Sequence, residues 1–151
     1  MIYSFIEDIQ KYFINIYNNT LKKKSILGSH IIVDYSNFSI IDDTNFAHFI
    51  FENMKYVINN FSTLKIVHSH LHIFNPNIDE PGFTCVLLLD ASHMTAHCYS
   101  KKGLLAVDLF TCGNNDTKLI IEKFNNYIIE KYPNINISIL NYLDRFISFN
   151  K

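Results

Sequence analysis

An α+β fold, a two-layer sandwich of one mainly antiparallel sheet with its helices packed on one face, is what this sequence predicts, on three observations. Apolar residues alternate through several runs of strand length, and two stretches at helical spacing are interleaved with them. The links across residues 83–110 are too short for crossover connections, so those strands must run antiparallel. At 151 residues the chain has the size of one domain with a real core, and residues 1–151 are read as a single domain.

The first expected element is an amphipathic helix over residues 2–17. Ile2, Phe5, Ile6, Ile9, Phe13, Ile16 and Tyr17 recur at three- and four-residue steps, with Glu7, Asp8 and Lys11 outside. Those charges, mixed in sign, make this N-terminal extension (residues 1–26) neither a transmembrane span nor a basic membrane-surface helix. Residues 29–35, introduced by Gly28, read as a strand, and 42–60 as a helix with Asp43 or Thr44 as N-cap and Phe46, Ile50, Met54 and Val57 on one face. Residues 64–74 alternate like a long strand, and two prolines and a glycine make 75–82 a loop. Residues 83–89, 93–99 and 104–110 are three further strands, the last two joined by a polar link of hairpin length at 100–103. Asn114 to Thr117 supply caps for a helix through Lys131, Pro133 closes it, and a last strand lies near 135–140.

Composition narrows the function. The chain is 48% hydrophobic and 18% charged, as a folded protein is. Thirteen basic and 14 acidic residues give a net charge of -1, and the only compact basic run is Lys22 to Lys24, so no nucleic-acid partner is expected. Cys85, Cys98 and Cys112 are odd in number, lack a C-x-x-C spacing and accompany no signal-peptide pattern, which points to reduced thiols in a cytoplasmic protein.

Residues 84–113 hold the dense cluster of nucleophile, imidazole and thiol groups. His68, His70 and His72 share one strand face, a geometry zinc uses. No carboxylate or cysteine stands at ligand spacing, so a polar sheet face is the preferred reading and no metal is expected. Ser92 follows an apolar strand, with His93 beside it and His97 on the opposite strand face, and Asp90 and Ala91 are read as extended residues facing opposite ways. No G-x-S-x-G elbow surrounds Ser92, so residue types alone do not support a hydrolase. Cys112 lies in the turn T-C-G, and a lone cysteine is more often a small buried hydrophobe.

The combination carries more than its parts. Gly28-Ser29-His30, His72-Ile73-Phe74 with Pro76, Ala91-Ser92-His93-Met94-Thr95-Ala96-His97 and Val107-Asp108-Leu109-Phe110-Thr111-Cys112-Gly113 occur in that order. The set resembles the prokaryotic-type S-adenosylmethionine decarboxylases, pyruvoyl enzymes of polyamine synthesis, whose members read G-x-H, H-x-F-x-P, E-S-H-L-[ST]-I-H-T-[WY]-P-E and A-V-D-[VL]-F-T-C-G. The likeness covers residues 28 to about 131.

The resemblance implies that the chain cuts itself between Ala91 and Ser92. The Ser92 hydroxyl attacks the preceding carbonyl, the peptide rearranges to an ester, and elimination leaves a pyruvoyl group as the cofactor on the new N-terminus. Thr84, which matches a family serine, and His97 would assist that processing. The pyruvoyl group then condenses with the substrate amine and accepts the electrons released as carbon dioxide leaves, while Cys112 protonates the carbanion. Phe74 matches an aromatic residue that stacks on the substrate adenine. A homodimer with its active sites at or near the interface is also implied.

Two positions depart from the family. Ala91 replaces the glutamate before the scissile bond, although the attacked group is a backbone carbonyl that alanine still supplies. Lys101 stands where members carry the glutamate that binds the ribose hydroxyls, and an ammonium has no acceptor to offer. The loop after Phe74 is also about four residues longer by alignment with that pattern. These departures keep two other readings open: a pyruvoyl decarboxylase of another amino acid such as arginine or ornithine, and an uncleaved member that binds or activates a partner.

Overall fold

The structure is a computed structural model that describes Lys11 and residues 24–39, 43–75, 77, 80–113 and 115–149. The expected N-terminal helix over residues 2–17 lies outside the described residues apart from Lys11. In chain order the elements are β1 (Lys24–Ser36), α1 (Asp43–Asn59), β2 (Ile66–Ile73), β3 (Gly82–Leu89), β4 (Ser92–Tyr99), a 3₁₀ turn (Ser100–Lys102), β5 (Leu104–Cys112), α2 (Thr117–Lys131) and β6 (Asn136–Phe149).

The strands form one antiparallel sheet in the order β2-β3-β4-β5-β1-β6. The helices pack on one face, α1 over β2 and β3 and α2 over β1 and β5. The result is the α+β sandwich the alternation predicts. On β3, Phe83, Cys85, Leu87 and Leu89 are buried under the helices while Thr84, Val86 and Leu88 point to the other face. Phe46 and Phe83 meet edge to face with ring centroids 5.9 Å apart, and Phe124 meets Tyr35 in the same way. Burying each such ring contributes about 1.5–3 kcal/mol. The Tyr35 hydroxyl donates to Asn125 Oδ1, which satisfies a polar group whose burial pushes the phenol far above its usual range.

Two boundaries differ from the sequence pattern. β6 runs to Phe149, well beyond residue 140, because it is an edge strand paired along nearly its whole length with β1, which itself begins at Lys24. Residues 136–147 of β6 are exposed, so burial imposes no alternation there that the sequence could display. Asp90 and Ala91 are not extended: with Leu89 paired to Ser92, they are the two-residue turn of the β3–β4 hairpin. The α2 cap falls where residues 114–117 were expected to supply it: the Asp116 carboxylate accepts from Leu119 N at 3.0 Å.

Gly82 carries the packing of the β3–β4 entry. A Cβ on it would lie 2.0 Å from the Cys98 carbonyl oxygen, so neither backbone can keep its place. Gly82→Ala should lower stability by about 3 kcal/mol, the upper end for overpacking, read as a fall in the urea midpoint. An unchanged midpoint contradicts this close approach.

Candidate active site

The face without helices is a grid whose rows are set by strand register. One row holds Arg145, Gly28 and Cys112, and the next holds His30, Phe110 and His93. A further row holds Asp34, Ala106, His97, Thr84 and His72. Neighbouring rows are two residues, about 6.6 Å, apart along a strand.

At one end of the grid the structure joins Ser92 and Cys112. The Cys112 backbone N–H donates to Ser92 Oγ at 3.2 Å. Ser92 is buried, whereas Cys112 is half-buried. The Asp90 N–H donates to the Lys65 carbonyl at 3.1 Å and steadies the hairpin turn, leaving Ala91 exposed at its tip. Beyond Cys112 the backbone turns through Gly113 at φ +75°, a left-handed conformation that glycine adopts without strain. Asn115 Nδ2 donates to the Cys112 carbonyl at 2.8 Å, and Thr63 donates in turn to Asn115 Oδ1 at 2.6 Å. Sequence reasoning saw Asn115 only as a capping residue; an amide three residues past the cysteine was the signal available.

The other end holds Thr84 and His97, hydrogen-bonded through Thr84 Oγ1 and His97 Nδ1 at 2.9 Å. His72 stands directly opposite Thr84 on β2, and its ring lies 5.8 Å from that of Phe74. A cavity of about 240 Å³ opens beside His97, lined also by Asp34, Tyr99, Leu104, Ala106 and Ser138. Lys101 is exposed in the 3₁₀ turn, next to Lys102, which pairs with Glu80 at 2.8 Å and holds that carboxyl below its usual range.

One chain does not bring the two ends together. Ser92 and His97 are five residues apart on β4 and point to opposite faces, about 16 Å apart along the strand. Among the described residues no group of three metal-ligating side chains converges, and His68, His70 and His72 remain a polar strip beside the sheet edge.

None of the three cysteines is joined in a disulfide. Burial pushes the Cys85 thiol up to about 12, and Cys98 is buried as well. Brief alkylation of the folded protein should therefore label Cys112 alone, as peptide mass mapping will show. A label on Cys85 under the same conditions contradicts the packing described.

Ser92 opens β4 directly after a hairpin turn with its hydroxyl on the Cys112 amide, and a hydroxyl–imidazole pair stands elsewhere on the open sheet, groups suited to nucleophilic and proton-transfer chemistry. The sequence model of S-adenosylmethionine decarboxylase matches residues 29–138, and the chain belongs to that family of decarboxylases. It is 36% identical over 106 residues to the S-adenosylmethionine decarboxylase proenzyme of Sulfurihydrogenibium sp., spanning 69% of this chain and 71% of the relative. It is 33% identical over 91 residues to S-adenosylmethionine decarboxylase proenzyme 2 of Bacillus cereus, spanning 59% of this chain and 68% of the relative. The crystal structure of the adenosylmethionine decarboxylase from Aquifex aeolicus superposes with a TM-score of 0.61 at 26% identity, covering 84% of this chain and 97% of that one.

Proposed function

We propose that this decarboxylase is self-processing, makes a pyruvoyl cofactor from Ser92 and acts on S-adenosylmethionine, supplying the aminopropyl donor for polyamine synthesis. The observation that carries the reading is the place of Ser92, first after a two-residue turn, with its hydroxyl oxygen held by the Cys112 amide. The turn exposes the Ala91 peptide, and attack by Ser92 Oγ on the Ala91 carbonyl carbon forms an ester as the C–N bond breaks. Loss of the Ser92 Cα proton then breaks the Cβ–O bond and frees the Ala91 carboxylate. Water replaces the nitrogen as ammonia and leaves a ketone. That pyruvoyl group supplies an electron sink for loss of the substrate carboxylate. Cys112, whose backbone N–H holds Ser92 Oγ and which is partly open to solvent, is the proposed donor of the proton to the substrate carbon.

Thr84 and His97 are the proposed proton-handling pair, and their distance from Ser92 supports a homodimer. A two-fold axis on the helix-free face would let one copy's Thr84–His97 pair meet the hairpin end of the other, where Cys112 shares that face and the Ala91–Ser92 bond enters β4. The face is suited to this, since Leu88, Leu104, Ile139 and Leu143 on it are exposed apolar residues. Phe74, next to His72 on that side, is the proposed ring for stacking the adenine.

Intact mass after incubation tests the processing: fragments 1–91 and 92–151, the second with a blocked N-terminus, are expected. A single full-length species after prolonged incubation removes the self-processing reading. Carbon dioxide release assayed with S-adenosylmethionine, arginine and ornithine in parallel tests the substrate, with the first alone expected to react. Release only from arginine or ornithine assigns the site to another amino acid.

A further inference from the structure

Between the two ends of the site lies a cluster that neither end uses. Arg145 Nη1 stands 3.1 Å from His30 Nδ1, and His30 Nε2 stands 3.3 Å from an Asp108 carboxylate oxygen. The Arg145 guanidinium also covers the Phe110 ring at 5.3 Å, and Phe110 meets both His30 (6.1 Å between centroids) and His93 (5.5 Å). Phe146 also meets Phe110 edge to face, with centroids 6.0 Å apart. His93 follows Ser92 directly, and Phe110 is two residues before Cys112, so this wall borders the proposed reaction centre. Arg145 lies outside residues 29–138, the span of the family match.

A guanidinium can only donate, so the contact with Arg145 requires Nδ1 of His30 to accept. In the neutral ring the proton must then sit on Nε2, the nitrogen that faces Asp108. The order Arg145, His30, Asp108 places a cation and an anion at the two ends of the imidazole across β6, β1 and β5, with Nε2 at ion-pair distance from Asp108 but, among the described residues, making no hydrogen bond. Burial, and after it the nearby His30, hold the His93 imidazole below its ordinary range.

We propose that Arg145 is a positioning residue: by fixing the His30 tautomer and covering Phe110 it holds the His30–Phe110–His93 wall against the Ser92–Cys112 end of the site. Its role in turnover rests on the self-processing reading; its effect on the tautomer does not. In Arg145→Met the donor, the charge and the planar cover are lost together, while Arg145→Lys keeps a donor and the charge.

The test is long-range proton–nitrogen correlation on imidazole-labelled protein at neutral pH, with the His30 signals assigned by their loss in His30→Gln. Wild type should show Nδ1 without a proton and Nε2 with one. Arg145→Met should lose that fixed pattern, and Arg145→Lys should restore it in part. Self-cleavage and turnover should fall by roughly tenfold or more in Arg145→Met, and recover partly in Arg145→Lys. A protonated Nδ1 in wild type, or Arg145→Met with unchanged signals and rates, overturns the proposal. If wild type does not cleave, the self-processing reading fails while the imidazole signals still decide the tautomer.

Discussion

Ser92→Ala is expected to stay a single 151-residue chain and to release no carbon dioxide, a loss of at least about 10⁴-fold. Removal of the hydroxyl takes away both the attacking oxygen and the atom that becomes the leaving group in the elimination, so neither cleavage nor cofactor formation has a route. The fold should survive, because the change deletes one hydrogen bond from the Cys112 amide, worth about 1 kcal/mol. An unchanged circular dichroism spectrum together with a single band on denaturing electrophoresis would establish both points. Cleavage in Ser92→Ala contradicts the assignment of the scissile position.

Mixing two inactive variants should restore activity. Ser92→Ala lacks the cofactor precursor and His97→Ala lacks the imidazole, and each alone should be inactive. In a mixed dimer refolded from equal amounts, one of the two shared sites has Ser92 from one copy and His97 from the other. Random pairing then yields about a quarter of wild-type activity. Restoration is the direct consequence of the roughly 16 Å that separates Ser92 from His97 along β4. No restoration, with dimers shown by sedimentation, would mean that each copy assembles its site alone, against the geometry of the sheet.

Much of this was legible in the residues. Alternation along 83–89, 93–99 and 104–110 is forced by a sheet buried on one face only, and the short links between these runs force antiparallel neighbours. The ordered motifs from Gly28 to Gly113 disclosed the family, because acyl chemistry and proton transfer require those side-chain types whatever surrounds them. The extent of β6 was not legible, since a solvent-exposed edge strand has no buried face to impose a pattern. Nor was the turn at Asp90 and Ala91, which neither glycine nor proline announces.

By itself the sequence determined the layers, the antiparallel order of the central strands and the chemical groups available to the site, because periodicity and side-chain chemistry are local properties. Only the tertiary structure decided which groups meet: Ser92 with Cys112, Thr84 with His97, and His30 with Arg145 across 115 residues of chain. The reason is register. Pairing between strands distant in sequence sets which side chains share a row, and no local pattern encodes that choice.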